Sequence, residues 1–409
     1  MRNASPIMSP TLFISAGEAS GEHYGALLIQ ALKRQLAAVG QTAQFFGMGG
    51  DRMVAAGLDR VVRSEDMAVM GITEVIRHLP RIYREFRKLK QSIRERRPDV
   101  AVLIDFPDIH FKLAEEFHRL GVPVIFFVSP QLWAWKKHRI KLVQKYVSKM
   151  LVIFPFEEPF YRERGVQAEF VGHPLAELPL PTITRTNFAA ENSLDPAKPW
   201  IALLPGSRAR EIRDNLPEMI RAAIFLFHDY HLEQGNPEPQ FIIPLAPTLT
   251  SVQRRAVAEM VSQLGENLAI RMVNDVGAEG AVGPTAGGAA AALFHARASV
   301  VASGTATVEA ALIGNPFVVV YRVSPITYAI AKRVVTVPHV AMANLIAGKR
   351  VVPELIQNDF TAANIVQQIS LLLPDGPPRE SMMKELKAIR QVLNARPAGY
   401  EQLHGSIER

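Results

Sequence analysis

Two glycine-punctuated turns, each leading from an apolar strand into a helix, constrain the fold of this 409-residue chain more than any other feature. The first is LFISAGEASGEHYGALL (12–28) and the second is SVVASGTATVEAAL (299–312). Turns of this kind lie at the carboxyl ends of strands in an open parallel sheet, which is where such sheets bind ligands. A helix that starts there offers free N–H groups and a partial positive charge to an anion. The chain is therefore predicted to hold two nucleotide-binding-like domains that face a shared cleft.

Strand–helix alternation in both halves predicts an α/β fold with two parallel sheets. Apolar, β-rich segments recur through the first half, and the pattern starts again at WIALLP (200–205). Near-continuous apolar strands that alternate with helices are typical of a parallel sheet covered on both faces. We therefore predict two Rossmann-like domains. The predicted strands are 11–16, 43–46, 100–104, 123–128, 150–154, 168–171, 200–205, 240–245, 268–273, 299–303 and 316–321.

The proline-rich stretch 174–182 is predicted to link the two domains. Residues 1–176 would form the first domain and 177–360 the second. Helices within 361–409 would cross back onto the first domain. The Gly/Ala-rich segment 277–292 is expected to be a surface insertion.

Composition excludes several classes of protein. The chain has no cysteine, which excludes disulfides, thiolate nucleophiles and cysteine-ligated metal sites. The N-terminus lacks the apolar segment of a secretory signal, and no run approaches 18 apolar residues, so a cytoplasmic protein without a spanning helix is expected. The net charge of +7 favours an anionic partner, which could be nucleic acid, a membrane surface or a phosphorylated substrate.

Residues 72–93 carry apolar side chains at helical spacing, with a break or bend expected near Pro80. Between 77 and 97, nine Lys and Arg stand against two acids, an excess that equals the net charge of the whole chain. A basic amphipathic helix is typical of a membrane-interface element, but an ordinary surface helix that packs its stripe on the core has the same periodicity. The apolar segment MAVMGI (67–72) favours the membrane interpretation. The predicted membrane contacts are Met70, Ile72, Val75 and Ile76.

A strand that ends in a carboxylate supplies a candidate general base. In VAVLIDFPDIHFKLA (100–114), Asp105 comes at the carboxyl end of the predicted strand. A carboxylate at that edge could accept a proton from a substrate hydroxyl. We interpret Asp108 as the N-cap of the next helix rather than as half of a metal pair. His110 has no partner at metal-ligand spacing, and no metal site is predicted.

The second glycine turn favours an anionic ligand. No acid precedes the helix that follows Ser303-Gly304-Thr305, and Gly304 would let a ligand approach the backbone closely. Glu309 lies on the same helix face as Thr305, where it could accept hydrogen bonds from a ribose diol. The alternative is an acid that only balances the helix dipole.

LLPGSRAREI (203–212) leaves another strand and presents Arg208 and Arg210 at the start of a helix. Cations there oppose the helix dipole, so a fixed arginine is best explained by an anion that joins it. Solvated arginines paired with Glu211 are the alternative.

The first glycine turn has a different chemistry. Its glycines are spaced by four from Gly17 onward, which matches neither the dinucleotide fingerprint nor the P-loop. Glu18 and Glu22 would repel a phosphate, so the loop suits the hydroxyls of a sugar better than a pyrophosphate, with Ser20 as a candidate helix cap. In the alternative interpretation the glycines only permit tight turns and helix–sheet contact.

A tryptophan-rich segment, VSPQLWAWKKHRIK (128–141), follows the predicted strand 123–128. Two tryptophans beside lysine, histidine and arginine would suit a lip that binds nucleic acid or a membrane interface. A helix over 132–148 that packs its tryptophans on the sheet and leaves the lysines in solvent explains the segment equally well.

Together these motifs resemble the lipid-A-disaccharide synthase family, glycosyltransferases of the two-Rossmann-domain GT-B fold. The resemblance covers nearly the whole chain, with the Gly/Ala-rich segment and the proline-rich linker as departures. The segments that carry it are AGEASGEHYGA (16–26), MAVMGITEV (67–75), IDFPDIHFKLA (104–114), VSPQLWAWKKHR (128–139), FPFEEPFY (154–161), FVGHPLAE (170–177), LLPGSRAREI (203–212), ASGTATVEAAL (302–312), YRVSP (321–325) and ANLIAGKRVVPELIQ (343–357).

The resemblance implies an inverting transfer of 2,3-diacylglucosamine from UDP-2,3-diacylglucosamine to 2,3-diacylglucosamine 1-phosphate (lipid X). The products would be a β-1,6-linked disaccharide 1-phosphate and UDP. The resemblance also implies no cofactor, no metal and no nucleic-acid partner. It implies a peripheral position on the anionic inner face of the cytoplasmic membrane of a Gram-negative bacterium. The oligomeric state stays open, with a homo-oligomer among the possibilities.

The resemblance also implies roles for individual residues. Asp105 would be the general base for the acceptor 6-hydroxyl, and Arg208 would neutralise charge on the leaving diphosphate. The other implied donor-site residues are Ser303, Gly304 and Thr305 at the phosphates, Glu309 at the ribose, and Tyr321, Arg322 and Asn344 in nucleotide-site motifs. The implied acceptor-side residues are Gly17, Glu18 and Ser20.

Two other classes stay open. Another GT-B sugar-nucleotide enzyme, such as a UDP-N-acetylglucosamine 2-epimerase or a lipid-intermediate glycosyltransferase, would share both turns. A soluble epimerase, however, has no use for the basic amphipathic segment. A non-enzymatic membrane or nucleic-acid binder would use the basic surface, but it leaves Asp105, Glu309 and the two glycine turns unexplained.

Overall fold

The computed structural model describes residues 9–67, 72–246, 249–265, 268–274, 288–335 and 337–394. The chain forms two compact units, of which the first runs to Gly172 and the second begins at His173. The boundary predicted from the sequence, at 176, lies four residues further along the chain.

The first unit is built on a seven-stranded parallel sheet. Its strands are β1 (Thr11–Ala16), β2 (Gln44–Gly49), β3 (Asp59–Arg63), β4 (Val100–Ile104), β5 (Val124–Phe127), β6 (Lys149–Val152) and β7 (Ala168–Phe170). Its described helices are α1 (Ala19–Ala38), α2 (Asp51–Ala56), α3 (Ile72–Arg96), α4 (Pro107–Arg119), α5 (Ile140–Tyr146) and α6 (Glu157–Arg162). The strand order β3-β2-β1-β4-β5-β6-β7 reverses between β1 and β4. Open α/β sheets bind ligands at such a switch point, beyond the carboxyl ends of the strands.

Buried aromatic side chains form the centre of this unit. Phe13 of β1 contacts Phe46 and Phe117 with ring centroids 5.4 and 5.0 Å apart. Phe126 of β5 is also fully buried. Helices cover both faces of a parallel sheet, so its central strands have no solvent-facing side and read as continuous apolar runs.

Helix α3 confirms the predicted helix and continues through Pro80, so of the expected break or bend there is no break. Leu89 and Ile93 are buried in the core, whereas Leu79 and Tyr83 are exposed. The apolar stripe is therefore core in the second half of the helix and exposed at Leu79 and Tyr83, whereas Ile82 between them packs partly buried against the core. The predicted membrane contacts lie outside the described part of the chain, Met70 entirely and Ile72, Val75 and Ile76 in their side chains.

The second unit is built on a six-stranded parallel sheet. Its strands are β8 (Trp200–Leu204), β9 (Gln240–Leu245), β10 (Ile270–Asn274), β11 (Ala298–Ala302), β12 (Phe317–Tyr321) and β13 (Glu354–Ile356). Its described α-helices are α7 (Arg185–Glu191), α8 (Ala209–Leu226), α9 (Ser251–Leu264), α10 (Gly288–His295), α11 (Thr305–Ile313), α12 (Pro325–Val334), α13 (Met342–Ala347), α14 (Ala362–Ser370) and α15 (Pro377–Leu393). The strand order β10-β9-β8-β11-β12-β13 repeats the topology of the first unit, with the switch point between β8 and β11.

The C-terminal helices belong to the second unit. Helix α14 packs on α8, and α15 packs on α11 and α13. The N–H of His173, where this unit begins, donates to the carbonyl of Leu393 over 2.9 Å. The expectation that the helices of 361–409 cross back onto the first domain is thus not met by α14 or α15; residues 395–409 lie outside the described chain.

Two other expectations differ from the structure. The helix expected over 132–148 is reduced to α5, preceded by a 3-10 turn at Lys137–Arg139. The end of the Gly/Ala-rich segment is not a surface insertion but forms α10, where Ala290 and Leu293 are buried; 275–287 lie outside the described residues. The short strands β3 and β13 escaped prediction. Across the described residues, no helix combines the length and the apolar character needed to cross a bilayer.

Candidate active site

Asp105 occupies a strained turn at the end of β4. Its φ is 52° and that of Phe106 is 51°. L-residues other than glycine rarely adopt this left-handed conformation, because Cβ crowds the backbone. The N–H of Asp105 still donates to Phe127 on β5 over 3.1 Å. The chain therefore leaves the sheet abruptly after Asp105, at the switch point between β1 and β4.

The environment of Asp105 favours a basic carboxylate. Burial raises the pKa of Asp105 to about 6; the negative charge of Glu18 adds to the shift and a hydrogen bond from the Phe106 N–H opposes it. At neutral pH this carboxylate is ionised, and it is a stronger base than an ordinary aspartate. These are the properties required of a general base.

A buried histidine is hydrogen-bonded to the backbone of the same turn. The Nδ1 atom of His110 lies 2.6 Å from the carbonyl oxygen of Asp105, and its Nε2 atom lies 2.8 Å from Oγ of Ser15. Ser15 and His110 are both fully buried. Sequence reasoning considered His110 only as a metal ligand and did not single out Ser15. The available signal was a lone serine at the carboxyl end of an otherwise apolar strand.

The first glycine turn lies against Asp105. A Cβ atom placed on Gly17 would come within 2.2 Å of the Phe106 ring, so only glycine leaves room for that side chain. Glu18 is the N-cap of α1, and its charge acts on Asp105. The assignment of Ser20 as the cap was wrong, since Ser20 lies inside the first turn of the helix. The structure thus brings Gly17 and Glu18 together with Asp105.

Asp108 does not cap α4 as predicted. Phe106 takes the N-cap position and Pro107 the first helical position. The carboxylate of Asp108 is instead largely exposed and pairs with Arg139 over 2.6 Å. This ion pair links α4 to the tryptophan-rich segment.

The two tryptophans of that segment have different environments. Trp133 is buried, and its Nε1 donates to Oε1 of Glu157 over 2.9 Å. Ser129 donates to the same oxygen over 2.6 Å. Trp135 is exposed, with the Lys136 ammonium 4.0 Å above its ring. Trp133 therefore packs in the core, as the helix interpretation expected of both tryptophans. Trp135 with Lys136 is the part of the segment that could form an aromatic–basic lip.

In the second unit, the turn after β11 presents the start of α11 to solvent. Ser303 donates its N–H to Val320 on β12 over 2.9 Å. Gly304 has φ 154° and is the N-cap of α11, and a Cβ there would meet no atom within 4 Å. Gly304 and Thr305 are both exposed. The first N–H groups of a helix have no intrahelical partner, so this exposed turn can receive an anion.

Arg208 is the N-cap of α8, beside the same switch point. Its Nη1 atom lies 2.9 Å from Oε1 of Glu211, whose other oxygen accepts the N–H of Ser207 over 3.1 Å. The pairing of Arg208 with Glu211 that the sequence left open is thus present. Burial raises the pKa of Tyr321; Glu211 adds to the shift and Arg208 opposes it. Arg208, Glu211 and Tyr321 therefore lie within electrostatic reach of one another.

Glu309 is half-buried one turn into α11. It lines an apolar cavity with Leu178, Leu312 and Arg390. Its place on the helix face below Thr305 agrees with the periodicity argument.

Two predicted donor-site residues have their polar groups engaged inside the protein. The guanidinium of Arg322 stacks 4.5 Å from the ring centre of Phe360 and donates to the carbonyl of the same residue. Asn344 is fully buried: its Nδ2 donates to Val352 and Glu354, and its Oδ1 accepts N–H groups of the 351–352 backbone. All four hydrogen-bonding positions of this amide are filled. Asn344 thus holds the α13–β13 loop together instead of offering its side chain to a nucleotide.

Two Rossmann-like units, each with a parallel sheet and a switch point, define the GT-B fold class. Among solved structures, the chain is similar to CalG4, the calicheamicin glycosyltransferase, with a TM-score of 0.56 and 17% identity over 98% of this chain and 99% of that chain. Acinetobacter baumannii MurG gives a TM-score of 0.53 and 16% identity, with 98% and 99% coverage. The S. aureus MnaA–UDP co-structure gives 0.61 and 12%, with 95% and 93% coverage. At these identities the likeness concerns the fold alone.

The chain belongs to the lipid-A-disaccharide synthetase family, whose model matches residues 12–402. It is 61% identical over 387 residues to the lipid-A-disaccharide synthase of Acidobacterium capsulatum, which covers 94% of this chain and 92% of the relative. It is 48% identical over 384 residues to that of Koribacter versatilis, with 94% and 93% coverage. The resemblance drawn from the motifs is confirmed: the chain is an enzyme and a glycosyltransferase. The epimerase and the non-enzymatic binder are set aside.

Proposed function

We propose that this enzyme transfers 2,3-diacylglucosamine from UDP-2,3-diacylglucosamine to 2,3-diacylglucosamine 1-phosphate. The family and the names of its relatives support the reaction class. The observation that carries the chemistry is Asp105, a half-buried carboxylate with its pKa raised to about 6, held at the switch point of the first unit.

In the proposed step, the 6-hydroxyl oxygen of the acceptor attacks C1 of the donor sugar. A bond forms between O6 and C1 while the bond between C1 and the diphosphate oxygen breaks, with inversion at C1. The hydroxyl proton passes to the Asp105 carboxylate, and UDP leaves with the bonding electrons. The charge that Asp105 loses therefore reappears on the diphosphate.

Groups of the second unit suit that leaving diphosphate. The exposed start of α11 at Gly304 and Thr305 offers backbone N–H groups, and Arg208 offers a cation. Donors aimed at developing negative charge stabilise the transition state. Glu309 is proposed to bind the ribose, and Tyr321 to lie beside the nucleotide.

We also propose that the enzyme works as a peripheral protein on the inner face of the cytoplasmic membrane, because both substrates carry acyl chains. Leu79 and Tyr83 are exposed on α3 among Arg81, Arg84 and Arg87. Apolar and cationic side chains together suit the interface of an anionic bilayer. The preceding segment, with Met70, Ile72, Val75 and Ile76, would extend this contact.

The proposed base is tested with a matched pair of aspartates. Asp105→Asn should lower kcat by roughly 10²–10⁴-fold while the affinity for UDP, measured by calorimetry, persists. Asp108→Asn removes a carboxylate three residues away that is exposed and paired with Arg139, and it should leave turnover nearly unchanged. Near-normal turnover of Asp105→Asn would overturn the assignment.

The proposed nucleotide site is tested with arginines that are two residues apart. Arg208→Ala and Glu309→Ala should each weaken UDP binding by about 1–3 kcal/mol, the cost of leaving a polar partner unpaired. Arg210, which pairs with Asp214 at 3.5 Å, supplies the control variant Arg210→Ala. If UDP affinity stays the same in both test variants, the nucleotide binds elsewhere.

A further inference from the structure

The hydrogen bonds beneath Asp105 permit one arrangement of protons. Burial lowers the pKa of His110 to about 4, so its ring is neutral at physiological pH. The carbonyl oxygen of Asp105 can only accept, so the proton is on Nδ1 of His110. The Nε2 atom must then accept, and Ser15 donates its hydroxyl proton to it over 2.8 Å. A directed chain runs from Ser15 through His110 to the backbone of Asp105.

This chain acts on the strained part of the turn. Residues held in left-handed backbone conformations cost on the order of 1–3 kcal/mol each, and they persist only where their surroundings hold them. Asp105 and Phe106 are two such residues in succession. If Asp105 relaxed to a negative φ, its carbonyl would rotate away from His110 and leave a buried ring N–H without an acceptor.

The histidine ring itself has little freedom. Its centroid lies 5.8 Å from the Phe106 ring and 6.0 Å from the Phe126 ring, in edge-to-face contacts. Ser15 lies in β1, paired with Leu103 of β4 in the parallel register. Through His110 and Ser15, the two central strands β1 and β4 therefore fix the position of the Asp105 carbonyl.

We propose that His110 and Ser15 are positioning residues that hold the Asp105 carboxyl where it accepts the proton of the acceptor hydroxyl. The inference rests on the proposed role of Asp105 as the general base. Neither residue is assigned a contact with substrate; both act through the backbone carbonyl of Asp105.

The test compares variants that keep or remove the donor. His110→Leu removes it, Ser15→Ala removes the group that orients the ring, and His110→Asn keeps an amide N–H for the Asp105 carbonyl. We expect His110→Leu to lower kcat about 10²-fold, the effect of displacing a reacting group by about 1 Å. We expect Ser15→Ala to have a smaller effect and to lower kcat by about 10-fold or less, because the histidine donor is still present. His110→Asn should recover most of the rate, and UDP affinity should stay the same in all three variants.

The pH profile separates positioning from a general loss of structure. Among the described residues, the titratable groups that act on Asp105 are Glu18, the N-cap of α1, through its charge and His110 of α4 through its hydrogen bond. When the turn relaxes toward water, the acid limb of kcat/KM, expected near pH 6, should move to lower pH in His110→Leu and Ser15→Ala. It should stay in place in His110→Asn. If His110→Leu does not fold, the conservative Ser15→Ala and His110→Asn decide the outcome.

The results distinguish this inference from the proposed function. Full activity of Asp105→Asn would remove the base and the positioning role with it. An inactive Asp105→Asn combined with normal turnover and a normal acid limb in the folded His110 and Ser15 variants would overturn the positioning role alone. A lowered rate with an unmoved acid limb would also overturn it, because that pattern reports loss of folded enzyme.

Discussion

The indole N–H of Trp133 donates to Oε1 of Glu157 over 2.9 Å and joins two segments that are 24 residues apart. Glu157 also accepts hydrogen bonds from Ser129 and from the N–H of Phe154. The segment between β5 and α5 has little regular secondary structure, so one buried carboxylate supplies the hydrogen bonds that a backbone ladder would otherwise give.

Removing the indole donor should destabilise the fold. Trp133→Phe can keep the edge-to-face contact with Phe156, whose centroid is 4.9 Å away, but it takes one donor from a buried carboxylate. We expect the free energy of unfolding in urea to fall by roughly 1–3 kcal/mol or more. Trp135→Phe changes an exposed ring and should cost no more than about 0.5 kcal/mol. Equal losses in the two variants would contradict the assigned contact.

Glu157 should also give stability a pH dependence. Burial raises the pKa of Glu157 from 4.5 to about 7, although Ser129, Trp133 and backbone N–H groups donate to it. Between these values the folded state binds more protons than the unfolded state, so this contribution to stability falls as pH rises from about 4.5 to 7. Each unit of pKa shift corresponds to about 1.4 kcal/mol. In urea unfolding between pH 5 and 8, Glu157→Gln should gain stability relative to the wild type as pH rises. If the free energy of unfolding changes with pH equally in the two proteins, Glu157 does not cause the pH dependence.

Gly17 and Gly21 give a matched test of the acceptor-side turn. A methyl group at Gly17 would collide with Phe106, whereas at Gly21 its nearest contacts are an ordinary 3.5 Å. Gly17→Ala should therefore displace the Asp105–Phe106 turn and lower kcat/KM by about 10²-fold, while Gly21→Ala stays within a few-fold. The double variant Gly17→Ala/Phe106→Ala removes the two closest contacts, with Cγ and Cδ1 of Phe106, and leaves only the 2.8 Å contact with its Cβ. It should therefore regain part of the stability that Gly17→Ala loses in thermal unfolding. Normal kinetics for Gly17→Ala would show that the turn tolerates the shift.

Helix α3 offers one apolar stripe in two environments. Leu79 and Tyr83 are 56% and 62% exposed, whereas Leu89 on the same helix is fully buried. Leu79→Ser/Tyr83→Ser should fold normally but sediment less with anionic vesicles, and salt should weaken the remaining binding by screening the arginines. Leu89→Ser should unfold the protein. Unchanged sedimentation of the double variant would move the contact to Trp135 or to the segment before the helix.

The parts of the fold that were predictable are those with strong periodicity. An entirely apolar segment such as WIALL at 200–204 can only be placed inside the protein, and it is fully buried in β8. The alternation of such segments with helical patterns therefore identified both sheets. The edge strand β13 has only three residues. The edge strand β3, DRVVR at 59–63, carries three charges, which hide a strand from any criterion based on apolar runs.

The site was predictable where position along a strand decides exposure. Asp105 follows an apolar strand directly, and its place at the sheet edge follows from that alone. Asn344 could not be placed correctly in the same way, because a motif does not tell whether a side chain binds a ligand or its own loop. The partners that decide the matter, Val352 and Glu354, are eight and ten residues away. A loss of UDP affinity without any loss of stability in Asn344→Ala would return this residue to the nucleotide site.

At Gly304, the chirality of a residue rather than its size decides whether it fits the backbone. Its φ of 154° disfavours an L-residue, yet a side-chain carbon there would meet no protein atom within 4 Å. For a D-amino acid the mirror-image preferences apply, so D-alanine introduced by semisynthesis would take up this backbone freely. Such a protein would keep its turn and carry its methyl group on the opposite side of Cα from the L-alanine methyl, which meets no protein atom within 4 Å. Comparing it with the L-alanine variant would separate the backbone geometry that Gly304 provides from the room it leaves for a ligand.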